Sequence, residues 1–248
     1  MHNVMLITGA SRGIGAETAI LAAKAGYDIC INYHTNKQAA ENILSKVTGC
    51  GVNAIVVQGD VSKEKDIENI FKQIDDELGR ITALVNNAGI LETQMRVESL
   101  NFNRLERILN TNVIGSVLCA KEAIKRMSTK HGGNGGAIVN LSSRASVLGS
   151  PNEYVDYALS KGAIDTFTIG LAKEIAEEGI RVNAVRPGII DTEIHACGGV
   201  PDRAEKLKDG IPMKRAGTAL EVAKSIMWLI SNNASFCTGT FIDISGGR

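Results

Sequence analysis

The chain has 248 residues, 44% hydrophobic and 22% charged, enough for one large α/β domain with a packed core. Lys plus Arg and Asp plus Glu each number 27, and aromatic residues make up only 4%, so the sequence argues against a nucleic-acid binder, a membrane-surface binder or a base-stacking platform. Five widely spaced cysteines without a C-x-x-C pair, four histidines (His2, His34, His131, His195) forming no ligand cluster, and no long apolar N-terminal run predict a reduced, cytoplasmic protein without disulfide frame, metal site or membrane span.

Short apolar runs predict strands at Val4–Thr8, Asp28–Tyr33, Ala54–Val57, Ala83–Asn86, Ala137–Leu141, Arg181–Val185 and Thr240–Ile244. Several are apolar throughout rather than alternating, as in a parallel sheet covered on both faces. Between them, helical stretches are expected at about Gly13–Gly26, Lys37–Gly49, Lys63–Gly79, Asn101–Lys130, Tyr154–Glu178 and Ala219–Ser231, three of which stop at a glycine. This βα rhythm predicts one domain over residues 1–248: a doubly wound Rossmann fold, with a mostly parallel seven-stranded sheet and helices on both faces. His131–Gly136 reads as a structural surface loop. Residues 191–218, rich in glycine and following a strand that ends at the ligand-binding edge, read as a substrate lid. His195 and Cys197 lie in that stretch and read as polar loop residues.

The first strand runs into Thr8-Gly9-Ala10-Ser11-Arg12-Gly13-Ile14-Gly15 and then a helix. Glycines there permit a tight turn, let backbone N–H groups approach a pyrophosphate, and let helix pack on strand, while the helix N-terminus adds partial positive charge. A dinucleotide site follows. An NAD site would place an acid at the end of the second strand. Here that stretch is Asn32-Tyr33-His34-Thr35-Asn36-Lys37. With no acid there, and with Arg12 in the turn and His34 or Lys37 as helpers for a 2′-phosphate, NADP (NADPH) is expected over NAD. Asp28 begins the strand and points away from this role.

Tyr157 and Lys161 are four apart on a helix and so share a face. A tyrosine of pKa about 10 needs roughly 4 kcal/mol to reach neutrality, about what an ammonium at ~4 Å supplies at an effective dielectric near 20. Lys161 is therefore expected to lower the Tyr157 pKa. Tyr154 competes for the acid role, but its partner one turn on is Ala158. Ser142 and Ser143 close the strand Ala137–Leu141, where a hydroxyl can hold a substrate oxygen. Asn112, inside a long helix, offers an amide that can hold a water and extend a proton path through Lys161.

Together these residues resemble the short-chain dehydrogenase/reductase family along the whole chain. Thr8–Gly15 matches its TGxxxGxG turn, Asp60-Val61 the pair that meets the adenine, and Asn86-Asn87-Ala88-Gly89 its NNAG element. Asn112, Ser143, Tyr157 and Lys161 match its catalytic tetrad. Pro187-Gly188, with Ile190 and Thr192, matches the segment that contacts the nicotinamide, and Thr238-Gly239 with Gly246-Gly247 its ending. The resemblance implies hydride transfer between nicotinamide and a carbonyl or alcohol carbon. Tyr157 would be the acid/base, Lys161 would lower its pKa and bind the nicotinamide ribose, Ser143 would position the substrate oxygen, and Asn112 would hold a relay water. It also implies a homotetramer built on the two long helices. Ser143 precedes Tyr157 by 14 residues where the family often has 13, so Ser142 and Ser143 both stand as candidates, and the extra residue falls in Ser150–Asp156.

Bacterial glucose-dehydrogenase-like and 3-oxoacyl-carrier-protein-reductase-like members look nearest. Glu178 stands where the second group would carry an arginine for its acidic carrier, which counts against that reading. A cofactor-binding sensor without chemistry is disfavoured by the intact tetrad. A Rossmann methyltransferase would need an acid after the second strand and has no use for the Tyr–Lys pair. The lid with Arg144, Leu148, Glu153 and Tyr154 is expected to shape a partly polar pocket for a small carbonyl or alcohol compound.

Overall fold

The computed structural model describes residues 3–248 apart from the His195 side chain; the readings that involve His2 and the His195 side chain lie outside the described residues. In chain order the elements are β1 (Asn3–Ile7), α1 (Gly13–Lys24), β2 (Tyr27–Tyr33), α2 (Lys37–Thr48), β3 (Ala54–Gln58), α3 (Glu64–Glu77) and β4 (Ala83–Asn86). Next come α4 (Phe102–Leu109), α5 (Gly115–Met127), β5 (Gly136–Leu141), α6 (Ala145–Leu148), α7 (Val155–Glu174) and β6 (Ile180–Pro187). The chain ends with β7 (Ile190–Asp191), α8 (Ile194–Cys197), α9 (Arg203–Leu207), β8 (Gly217–Thr218), α10 (Ala219–Ile230) and β9 (Phe241–Ile244).

Seven strands form one parallel sheet in the order β3-β2-β1-β4-β5-β6-β9. All seven expected strands are present, with ends shifted by one or two residues. Alternate residues of the strands inside the sheet feed two separate cores. Met5 and Ile7 of β1 pack with α1, α2 and α10, whereas Val4 and Leu6 pack with α3, α5 and α7. Small residues face the sheet on α1 (Ala16, Ala19, Ala22, Ala23), which lets that helix lie close. On α3 the buried stripe is Ile67, Ile70, Phe71 and Ile74, the spacing of one helical face. Each such side chain stabilises the fold by roughly 1.5–3 kcal/mol on burial.

The strand order reverses between β1 and β4, so a crevice opens there at the carboxyl edge. A buried polar chain braces it from below. Asn86 donates to Asn140 (2.9 Å) and to the Ser116 carbonyl (3.1 Å), and Asn140 donates to Thr168 on α7 (2.9 Å).

Three expectations need correction. The stretch Asn101–Lys130 is α4, a π-helical turn at Asn110–Ile114, α5 and a short 3-10 turn at Thr129–His131. The π turn coincides with tight packing: a Cβ on Gly115 would stand 2.5 Å from the Val61 carbonyl oxygen. The second long helix closes at Glu174, and Ala176–Glu178 is a 3-10 turn ending in left-handed Gly179. Residues 191–218, expected to hold Cys197 in a loop, place it in a short helix instead. They hold α8, α9 and a 3-10 turn, and β7 pairs with β8 so that the segment leaves and rejoins the body at one place. Among the described residues no helix is long and apolar enough to cross a membrane.

Candidate active site

The glycine turn is shaped by backbone contacts that leave no room for side chains. Gly9 (φ +62°) and Gly13 (φ +56°) take left-handed conformations, and a Cβ on Gly15 would meet Asn87 Nδ2 at 2.5 Å and the Gly9 carbonyl oxygen at 2.8 Å. Asn32, a polar residue in the otherwise apolar β2, accepts from the Gly9 N–H (3.2 Å) and donates to the Gly59 carbonyl (3.1 Å). Asn87 donates to the carbonyls of Thr8 (2.8 Å) and Gly9 (3.0 Å), and the Thr8 hydroxyl accepts from the N–H groups of Asn87 and Ala88. The turn is thus locked to the ends of β2 and β4. The sequence alone assigns neither Asn32 nor Thr8 this bracing role; for Asn32, a buried polar residue inside an apolar strand was the available signal.

The turn opens α1 without a side-chain cap, although α2, α4 and α10 are capped by Asn36, Asn101 and Thr218. Its N-terminus faces a cleft lined by Gly9, Ser11, Arg12, Gly13, Ile14, His34, Asp60, Val61, Asn87, Ala88, Gly89 and Thr192. Uncapped N–H groups, positive helix-end charge and closely approachable backbone fit a pyrophosphate. Burial pushes the Asp60 carboxyl up, but hydrogen bonds from Ser62 and the nearby His34 and Lys63 more than offset it, so it stays below the usual carboxylate range. Arg12 is exposed at the rim and its guanidinium contacts Cys197 Sγ at 3.4 Å. Lys37 does not join the cleft lining; its ammonium pairs with Glu41 (3.6 Å).

Ile14, Asn87, Gly89 and Thr192 also line a second cavity of about 520 Å³, continuous with the first. Ser143, Tyr157, Lys161, Pro187, Gly188 and Ile190 line it too, as do Arg144, Leu148, Glu153 and Tyr154. Nearly all the expected site residues therefore come together on these two adjoining cavities; Gly15 packs beneath the turn, and Asn112 lies behind the wall.

Tyr157 and Lys161 lie on one face of α7, with the Lys161 Nζ 5.5 Å from the Tyr157 ring centroid. Lys161 is buried and donates to the Leu141 carbonyl at 2.6 Å. Ser143 lines the cavity with Tyr157 and pulls the phenol's pKa down against the effect of burial, whereas Ser142 is buried and its hydroxyl donates to the Lys161 carbonyl (3.3 Å). Of the two serine candidates, Ser143 is the one brought to the phenol. Asn112, in the π turn, is fully buried. Its carbonyl oxygen accepts from the Ile90 N–H (2.8 Å), and its amide donates to the Ile90 carbonyl and the Ser160 hydroxyl (both 3.1 Å). Gly89 separates Asn112 from Lys161: a Cβ there would stand 3.4 Å from one and 3.7 Å from the other.

The electrostatics correct one expectation. Lys161 does not hold the phenol near neutrality. Burial pushes Tyr157 up to about 12, against a lowering contribution from Ser143, and burial pulls Lys161 down to about 8, against a raising contribution from Asp165. Desolvation penalises both charged forms, and the ammonium is turned to the Leu141 carbonyl.

Tyr154, the rival phenol, is buried and donates to the Gly198 carbonyl (3.1 Å). Among the described residues no three His, Cys, Asp or Glu side chains gather as a metal site.

A family model described as enoyl-(acyl carrier protein) reductase matches residues 9–248. An uncharacterised oxidoreductase, YgfF, of Escherichia coli (strain K12) is 55% identical over 245 residues, 99% of each chain. The 3-oxoacyl-[acyl-carrier-protein] reductase FabG of Staphylococcus epidermidis is 31% identical, covering 100% of this chain and 99% of its own. The solved structure of acetoin dehydrogenase YohF from Salmonella typhimurium superposes with a TM-score of 0.87 at 33% identity, covering 100% of this chain and 97% of the other. All are named as oxidoreductases, reductases or dehydrogenases.

Proposed function

The chain belongs to the short-chain dehydrogenase/reductase family, and from that premise we propose that it is an NADP(H)-dependent oxidoreductase interconverting the carbonyl and alcohol of a small free substrate, with Tyr157 as acid/base. The observation that carries this reading is the Tyr157 phenol, which lines the cavity together with Ser143 and whose ring centroid lies 5.5 Å from the buried Lys161 ammonium. A bound nicotinamide would supply the hydride chemistry. Gly9, Ser11, Gly13, Ile14 and the N-terminus of α1 would hold its pyrophosphate, Asp60 and Val61 its adenine end, and Pro187, Gly188, Ile190 and Thr192 its nicotinamide end.

At neutral pH Tyr157 is a neutral phenol, the form that can donate a proton to an oxygen gaining negative charge during carbonyl reduction. Ser143 holds that oxygen. Lys161 is largely protonated below about 8, so its ammonium offsets the charge left on the phenolate. Asn112 fixes the loop of Gly89 and Ile90 against α7 through Ile90 and Ser160, and its role with a relay water belongs to this proposal.

The NADP preference rests on Arg12 and His34 at the rim and on the absence of an acid in the cleft at the end of β2. Free thiols at Cys30, Cys50, Cys119, Cys197 and Cys237 fit a reducing cytoplasm. Exposed Phe102, Ile114, Val117, Leu159 and Ile169 on α4, the π turn, α5 and α7 support a homotetramer, and a monomeric mass in sedimentation would refute it. A second reading, 3-oxoacyl-thioester reduction, is favoured by the FabG relative. It is weakened by Glu178, which accepts from Ser128 and pairs with Lys130 (2.9 Å), placing an acid where a carrier would need a cation.

The test is a screen of ketones, aldoses and acetoacetyl thioesters with NADPH and NADH. Tyr157→Phe should lose about 10³-fold or more in kcat while keeping NADPH affinity, and Arg12→Ala should weaken NADPH binding selectively, by about tenfold. Full turnover by the phenylalanine variant, tighter binding of NADH than NADPH, or cofactor binding without turnover of any carbonyl would each overturn its part of the proposal.

A further inference from the structure

The lid is fastened in two different ways. Its second half is held by burial and backbone: Ile211 is buried, and the Met213 N–H donates to the Gly246 carbonyl (3.1 Å). Its first half, through α8 and α9, is held by side chains from the loop that precedes α7. Arg203 of α9 donates from both terminal nitrogens to the two carboxylate oxygens of Glu153, at 3.1 and 2.5 Å. The same guanidinium lies 5.0 Å from the centroid of the Tyr154 ring, and the Tyr154 hydroxyl donates to the Gly198 carbonyl just after α8. The fit is close, since a Cβ on Gly198 would stand 3.1 Å from the Tyr154 oxygen and 2.8 Å from Leu91.

These side chains also face the site. Glu153, Tyr154 and Arg203 line the cavity that holds Tyr157. The loop that presents them is strained: Ser150 (φ 45°) and Asn152 (φ 62°) take the left-handed backbone that non-glycine residues adopt only at a cost. Glu153 is braced from the other side by Gln94 (3.2 Å), and the Met95 N–H donates to its carbonyl (2.9 Å). The strain therefore aims one acid and one phenol at the lid.

We propose that Glu153, Tyr154 and Arg203 form a latch that holds the first half of the lid against the cavity and, by fixing its outer wall, sets which substrates the site accepts. They are specificity-determining and positioning residues, not catalytic ones. The inference rests on the reading that this cavity receives the substrate. Arg203 is tied bidentately, and Glu153 keeps about a third of its side chain in water, which screens the pair and keeps its contribution to stability modest.

The test uses the full chain without substrate and reads tryptic nicking at Lys206 and Lys208 in the lid, alongside kinetics. Glu153→Gln and Arg203→Met should each speed nicking by about fivefold and raise KM by about as much, with kcat changed less than about twofold, because cleavage follows the open population. Tyr154→Phe, which keeps the ring and loses only the Gly198 bond, should show a smaller increase and guards against a folding artefact. The charge-reversed pair, Glu153→Arg with Arg203→Glu, should restore both readouts. Parental nicking rates in all three single variants, or no recovery in the reversed pair, would overturn the latch. Tyr157→Phe separates the two proposals: it should abolish turnover and leave nicking unchanged, so a failed activity reading does not decide the lid result.

Discussion

The proposed cofactor cleft and the proposed substrate cavity share Ile14, Asn87, Gly89 and Thr192, yet they are built on opposite principles. The cleft is framed by backbone. Its glycine turn is pinned by Asn32, Asn87 and Thr8 to the ends of three strands, and no side chain larger than hydrogen fits at Gly15. The outer wall of the cavity is framed by side chains meeting across a gap: Glu153 with Arg203, Tyr154 with Gly198. A group common to every turnover is well served by backbone, which substitution cannot easily change. A wall made of side-chain pairs can be respecified by replacing two residues without disturbing the cleft.

The sharpest way to break this comparison is Gly15→Ala. The new methyl must displace the Gly9 carbonyl and Asn87, so NADPH affinity should fall by more than about 100-fold and stability by about 3 kcal/mol, as read by fluorescence titration and urea unfolding. Parental affinity in this variant would show that the turn is not rigid.

Next in size is Lys161→Met, at the seam between the two regions. Burial holds the Lys161 pKa at about 8 instead of 10.5, so below pH 8 the folded state carries a proton it binds less tightly than the unfolded chain does. That cost is relieved as pH rises from about 8 to 10.5, where the unfolded state binds more protons and stability climbs. Methionine removes the charge and loses the bond to Leu141, leaving a net gain of about 2 kcal/mol at pH 7 that shrinks towards pH 10.5, together with a large loss of kcat. Destabilisation at pH 7 would mean that the ammonium is better solvated than its burial implies.

The smallest effect is expected at the lid's exit. Thr218 caps α10 in a reciprocal box with Glu221, whose carboxyl Arg215 holds well below its usual range. Thr218→Ala should cost about 1 kcal/mol in unfolding free energy and leave the kinetics within about twofold of the parent. A KM change above that would extend the substrate wall to the second half of the lid, and would blur the division between cleft and cavity.

Much of this was legible beforehand. Apolar runs alternating with amphipathic stretches are a local signal, and all seven sheet strands followed from them. The glycine turn was legible because its demands are local too: a left-handed backbone or a missing Cβ can be met by one residue type. The four-residue step from Tyr157 to Lys161 put both on one helix face by geometry alone. Ser143 over Ser142 was favoured by the resemblance alone, because neighbouring strand-end residues point opposite ways and the placement of α7 decides which lies beside Tyr157. Nor were α8 and α9, whose four and five residues are too short to show a period and are held by contacts with distant Tyr154 and Glu153.

The amino-acid order by itself determined the α/β class, the glycine turn and the Tyr–Lys pair, since each is set by residues within a few positions of one another. Tertiary structure alone decided the charge states and the lid's attachment. A pKa depends on what is packed around a group rather than on what precedes it in the chain, and burial moved Tyr157 and Lys161 in directions that the attraction between phenolate and ammonium does not give.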